Sequence, residues 1–138
     1  MISVKDFAAF SPWWMSVMRT RSLIRRDWEA IDPVRVLGFI SRSDTDRVLK
    51  DKNHGTFLLR FSERKLGALV VTADRPQHPP QTSCSTSQER ARRVKHCLVE
   101  VSEGGFCFVE GAHSRQTLRD LVMEASALTT LYPDIPKE

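Results

Sequence analysis

The chain predicts an α+β fold, a central antiparallel β-sheet flanked by two α-helices, with an N-terminal helical extension. Three observations carry this. Near the start, Trp14, Val17, Met18, Ile24 and Trp28 approximate a helical stripe. The middle holds short segments in which apolar residues alternate, separated by turns rich in glycine and polar residues. Near the end, Leu118, Leu121, Val122, Ala125 and Leu128 fall on one helical face. Helix, strands, helix is the order of a sheet layered between helices.

Each element follows from local chemistry. In the opening segment Ser11 can cap, Pro12 suits the first helical position, and Asp32-Pro33 stops the helix. Trp13 and Trp14 are expected to anchor this segment to the core. Ser41-Arg42-Ser43-Asp44 has capping-box spacing and opens a short helix carrying Val48 and Leu49. Arg42 therefore lies in a first turn, where free N–H groups favour an anion. Asn53-His54-Gly55 turns into the central strand, and the Glu63–Gly67 turn leads to a second strand from Ala68 to Ala73. Residues 74–90 are rich in Pro, Gln, Ser and Thr and predict a loop. A third strand, Val94 to Val101, turns at Ser102-Glu103-Gly104-Gly105 into Phe106–Val109, a hairpin. Thr117 and Asp120 have capping spacing for the last helix.

The nine residues Gly55–Glu63 read as a strand with an unusual member. Alternation puts Phe57, Leu59 and Phe61 on one face, and Thr56, Leu58, Arg60 and Ser62 on the other. A strand apolar on both faces is covered on both sides, yet a guanidinium stays charged and is almost never buried unpaired. Arg60 needs an anion. No acidic residue shares its face of the strand, and Ser62, about 7 Å further on, offers a hydroxyl to the same target. A ligand can supply that anion; the alternative is a structural arginine paired with a distant carboxylate.

Composition narrows the function classes. A chain of 138 residues, 41% hydrophobic and 28% charged, suits one globular domain. No apolar run approaches the roughly 18 residues of a membrane span, and the N-terminus does not resemble a signal peptide. Cys84, Cys97 and Cys107 are odd in number and without CxxC spacing, so neither a disulfide framework nor a metal site is expected, and a reducing cytosol fits. A net charge of +4 favours an acidic partner: phosphopeptide, nucleic acid or anionic lipid. The basic clusters at Arg19–Arg21, Arg25-Arg26 and Arg90–Arg93 lack the interleaved aromatics of a single-strand-binding platform. No acid/base pair, metal cluster or glycine-rich phosphate loop suggests an enzyme or a cofactor.

The string GTFLLRFSE, preceded by Gly38-Phe39-Ile40-Ser41-Arg42, resembles the phosphate-binding heart of a Src-homology-2 (SH2) domain. The likeness covers residues 32–138. The ending LYPDIPKE narrows it to the type found in signal transducers and activators of transcription (STAT proteins), and residues 1–31, with Trp13, Trp14 and Trp28, resemble the end of the helical linker preceding that domain. Val94-Lys95-His96 and Gly104-Gly105-Phe106 look more like the conventional Src-type branch.

The resemblance implies a noncatalytic phosphotyrosine-binding module. Arg60 would form the bidentate pair with the phosphate, Arg42 a second contact and Ser62 a hydroxyl bond, while Glu63, Arg64 and Lys65 would close over it as a loop. His96 would lie under the phenol ring, with a satisfied sheet histidine as the alternative. Cys97 and Leu98 would belong to the groove for residues after the phosphotyrosine, with a plain core cysteine as the alternative. Tyrosine-phosphorylated peptide or protein is the expected partner, without membrane or direct nucleic-acid binding by this fragment and without cofactor. The parent would be a cytoplasmic signalling protein or transcription factor that shuttles to the nucleus. Tyr132, the only tyrosine, sits inside the closing string, so this chain is expected to be monomeric, a phosphorylation-dependent dimer belonging to a full-length parent. The rival expectations are a degenerate SH2 fold used for scaffolding or packing, and a basic nucleic-acid-binding domain.

Overall fold

The computed structural model describes residues 3–29, 35–74, 94–111 and 113–136. Helix α1 (Val4–Leu23) and the short α2 (Arg25–Trp28) precede α3 (Arg42–Leu49). Strands β1 (Thr56–Phe61), β2 (Leu69–Asp74), β3 (Val94–Ser102), β4 (Gly105–Phe108) and β5 (Ser114–Arg115) follow, then α4 (Leu118–Glu124) and the short strands β6 (Thr130–Leu131) and β7 (Ile135–Pro136). Among the described residues these strands form one sheet in the order β5-β4-β3-β2-β1-β6-β7. The pairs from β1 to β5 are antiparallel, as expected, and β6 joins β1 in parallel.

The alternation in β1 holds. Phe57, Leu59 and Phe61 share a core with Leu69, Val71, Val99 and Phe106, onto which pack Val17 of α1, Ile24 between α1 and α2, and Leu118, Leu121 and Val122 of α4. Thr56, Leu58 and Arg60 face the other way and are buried too, with Thr45 and Leu49 of α3, which packs against β2. Both faces of β1 are thus covered, and so is its outer edge. Leu37 N–H donates to Leu59 O (2.8 Å) and Phe61 N–H to Gly38 O (2.7 Å). The chain then turns at Gly38, whose φ of +76° suits glycine. That turn delivers Ser41 and Arg42 beside the strand carrying Arg60.

Two caps match the sequence reading. Ser41 accepts from Asp44 N–H at 3.0 Å and donates to the Asp44 carboxylate at 2.7 Å. Thr117 accepts from Asp120 N–H at 3.1 Å. The first helix differs: it starts at Val4 under a capping box of Ser3 and Asp6, and Pro12 lies inside it. Pro12 removes one donor, but Ala8, whose carbonyl would have accepted it, is exposed to water, so nothing buried is orphaned. Of the two tryptophans expected as anchors, Trp13 packs on the core, whereas Trp14 is 44% exposed and stacks on Phe10 at 5.8 Å. The Asp32-Pro33 stop and the loop after Asp74, to residue 93, lie outside the described residues. Tyr132 stands in the turn between β6 and β7, its N–H donating to Phe57 O at 2.8 Å.

Candidate functional site

Arg60 is the centre of the site. It is 3% exposed, one terminal nitrogen donates to Phe61 O at 3.2 Å, and its buried Nε has no partner. It makes no ion pair with any described residue. Burial holds the guanidinium below the usual arginine value; Glu63 opposes this, Arg42 adds to it and Asp46 opposes it. An unmet polar atom in a buried charged group costs more than the roughly 1–3 kcal/mol of a neutral one. The free domain therefore holds an arginine whose charge its own structure leaves under-compensated.

Helix α3 and strands β2 and β3 build the wall beside it. Register places Arg60 opposite Val70, Thr72 opposite His96 and Val70 opposite Leu98, so Arg60, Thr72, His96 and Leu98 share one face. The His96 Nδ1 is hydrogen-bonded to Thr72 Oγ1 at 2.9 Å. Its Nε2 stands 3.0 Å from Asp46 Oδ1, an electrostatic contact more than a well-aligned hydrogen bond. Burial pushes the imidazole below its ordinary value of 6.5, Asp46 opposes this, and Arg42 and Arg60 reinforce it. Arg42, Asp46, Arg60 and His96 therefore share one electrostatic neighbourhood. Arg42 itself is exposed, at the first position of α3.

The turn after β1 is organised by Ser62. Its Oγ accepts from the N–H groups of Arg64 (3.2 Å) and Lys65 (3.0 Å), which leaves its hydroxyl proton to donate. Below it, Ser62 N–H donates to Ala68 O at 2.8 Å. Glu63, Arg64 and Lys65 are exposed. The Lys65 ammonium pairs with Glu100 on β3.

Cys97 points away from His96, as alternation requires, and lies opposite Val71. It lines a cavity of about 310 Å³ with Leu98, Val71, Phe108, Ala125 and Leu128, between the sheet and the end of α4. Geometry thus brings Arg60, Arg42 and His96 together, sets Ser62 and its loop directly after the strand of Arg60, and puts Cys97 on the reverse face. Three contributors were not picked out from the sequence: Asp46, Thr72 and Glu100. Only Asp46 carries a local signal, four residues after Arg42 and so on the same side of α3.

A buried arginine, a second arginine from a helical first turn and a hydroxyl-ordered loop at a strand end thus lie around β1. The family model of the SH2 domain matches residues 36–124, and the chain belongs to that family, whose members are noncatalytic modules that bind phosphotyrosine-containing proteins. Within it, the chain is similar to signal transducer and activator of transcription 4 of Mus musculus and of Homo sapiens, each 31% identical over 107 residues, which is 75% of this chain and 13% of the relative. It is also similar to signal transducer and activator of transcription A of Dictyostelium discoideum, 24% identical over 131 residues, 95% of this chain and 16% of the relative. The chain therefore spans 13–16% of the length of these relatives.

Proposed function

We propose that this chain captures tyrosine-phosphorylated segments through Arg60, Arg42 and Ser62, as one module of a longer signal transducer and transcription activator. The observation that carries the reading is Arg60: 3% exposed, without a described ion-pair partner, with a buried Nε unmet. A phosphotyrosine carries nearly two charges and three acceptor oxygens, and two guanidiniums with a hydroxyl match that valence. The Arg64 and Lys65 amides are tied to Ser62 Oγ, which orders the loop so that the Arg64 and Lys65 side chains can face the phosphate. His96 supports the ring side of the pocket from its place between Thr72 and Asp46. The cavity lined by Cys97 and Leu98 takes an apolar side chain following the phosphotyrosine. Residues 1–31 serve as the end of a linker and residues 32–138 as the SH2 domain, in a parent that is cytoplasmic and enters the nucleus.

A scaffolding role is the second reading, favoured by the Lys65–Glu100 and His96–Asp46 pairs, which satisfy part of the site internally. Titration of a phosphotyrosine peptide library decides between them. Saturable binding is expected, lost when phosphotyrosine is replaced by glutamate or phosphoserine, because both lack the reach of a phenyl phosphate. Comparable affinity for the replaced peptides, or none for any phosphotyrosine peptide, would overturn the proposal. Steep salt dependence with indifference to phosphotyrosine would instead mark a nucleic-acid binder.

A further inference from the structure

Helix α1 reaches the loop after β1 from behind. Thr20, only 5% exposed, donates its hydroxyl to the carbonyl of Gly67, 47 residues along the chain. Gly67 has φ +71°, and a Cβ there would meet Ser16 O at 2.6 Å, so only glycine allows this approach. Gly67 is not an isolated contact point. The neighbouring Ala68 N–H donates to Lys65 O at 3.2 Å and its carbonyl accepts from Ser62 N–H, while the Ser62 hydroxyl accepts from Arg64 and Lys65. A displacement at Gly67 is passed through this short chain of bonds to the amides of Arg64 and Lys65.

Among the described residues, the other polar tie from α1 to the sheet runs to the β3–β4 hairpin. Beside the contact lies a groove of about 630 Å³ between α1 and the β3–β4 hairpin, bordered by Arg19, Lys65, Glu103 and Gly104. Across it runs the Arg19–Glu103 pair at 3.1 Å, with side chains 69% and 87% exposed, and a pair so exposed contributes little. The buried Thr20 bond is the polar tie with weight. Thr20 also lies outside residues 36–124, the span matched as SH2 domain.

We propose that Thr20 is a positioning residue for phosphate recognition: α1 holds Gly67, and through it the Ser62–Lys65 loop, in the geometry that receives the phosphate. The proposal rests on the reading that this loop contacts phosphate. Phenyl phosphate is the probe, since it occupies only the phosphate pocket, and amide NMR of the full chain is the readout. Saturation should shift the amides of residues 62–68 and also those of residues 16–21 in α1. Thr20→Val should weaken phenyl phosphate by about three- to tenfold, with Thr20→Ser within about twofold of the parent chain. Val17→Ala, a cavity in the same helix that spares the bond, should lower Tm and leave affinity unchanged.

Unchanged affinity in folded Thr20→Val, or an equal loss in Val17→Ala, would overturn the proposal. So would α1 amides that stay still at saturation, a measurement that needs no variant to fold. The reading beneath it fails separately: no phenyl phosphate binding by the parent chain, or equal binding by Arg60→Ala, removes both. Binding lost in Arg60→Ala but kept in Thr20→Val sinks only the role of Thr20.

Discussion

Arg60 and Arg115 are strand arginines of one sheet, and their surroundings could hardly differ more. Arg115, on the edge strand β5, gives its Nε to Glu124 Oε1 at 2.6 Å and a terminal nitrogen to Glu124 Oε2 at 2.5 Å, a bidentate fork. The Glu124 hydrogen bond raises its pKa above the usual arginine value. Arg60, inside the sheet, has no described carboxylate at bonding distance, and burial lowers its pKa. Both guanidiniums remain charged, so the contrast lies in who supplies the counter-charge. The fold closes the account at β5 and leaves it open at β1. On the proposed function, an arginine buried without an anion among the described residues is the position held for the phosphate.

The sharpest break of this comparison is substitution of each arginine in turn. Arg60→Ala should abolish phosphotyrosine-peptide binding with the fold retained, a loss of roughly 2–5 kcal/mol, or about 30-fold to several thousand-fold. Arg60→Lys should lose most of it as well, because an ammonium cannot present a planar fork. Arg115→Ala should leave affinity untouched. Isothermal titration calorimetry on the three variants reads the contrast, and an Arg60→Ala chain that binds like the parent ends it. Next in size is Arg42→Ala: Arg42 sits exposed in the first turn of α3, sharing its task with water, and about 1–2 kcal/mol is expected for one charge-assisted hydrogen bond. A loss equal to that at Arg60 would reverse the ranking.

Much of this contrast was legible before any coordinates. The alternation of β1 put Arg60 on a covered face, and the caps at Ser41 and Thr117 fixed where α3 and α4 start, because both signals are local. Asp46 and Thr72 were not legible as a pair around His96, since they come from α3 and β2 and meet only through tertiary packing. Glu124 as the partner of Arg115 was hidden in the same way, across the turn between β5 and α4. The strands β6 and β7 span two residues each, too short to show a period, and the parallel pairing of β6 with β1 depends on where α4 sends the chain. In the first helix the start expected at Ser11-Pro12 is overturned by the Ser3–Asp6 capping box, which was not picked out from the sequence. The helix runs through Pro12 because the exposed Ala8 carbonyl tolerates the donor that Pro12 lacks.

The pH dependence sharpens the comparison from the wall of the site. His96 titrates below its ordinary 6.5 in the folded domain because it is buried beside Arg42 and Arg60. The unfolded chain therefore takes up a proton that the native state refuses. Stability from this group is fully present above about pH 6.5 and is lost as pH falls through the lower folded value. Thermal melts stepped down from about pH 7.5 to 5 should show Tm falling below about 6.5, and His96→Asn should flatten that slope. A His96→Asn profile that tracks the parent chain would detach His96 from the charge of the two arginines.

The smallest effect concerns the one cation of the loop that the domain does satisfy. Lys65 pairs with Glu100 as Arg115 pairs with Glu124, yet Lys65 lies in the loop that orders itself on Ser62, next to the proposed phosphate site. On the proposed function, Glu100 competes with an incoming phosphate for the same ammonium. The two side chains are 48% and 49% exposed, so water and salt screen the pair and little is lost when it opens. Glu100→Gln should raise affinity for a phosphotyrosine peptide by only about two- to fivefold at low ionic strength, a gain fading toward about 0.5 M salt. Glu124→Gln, which frees Arg115 far from the loop, should raise nothing. Fluorescence titrations of both variants at two salt concentrations provide the measurement, and equal affinities at low salt would mean that Lys65 takes no part in holding phosphate. In that case Arg64 would be the remaining basic side chain of the loop, and Arg64→Ala would become the substitution on which the loop's electrostatic contribution depends.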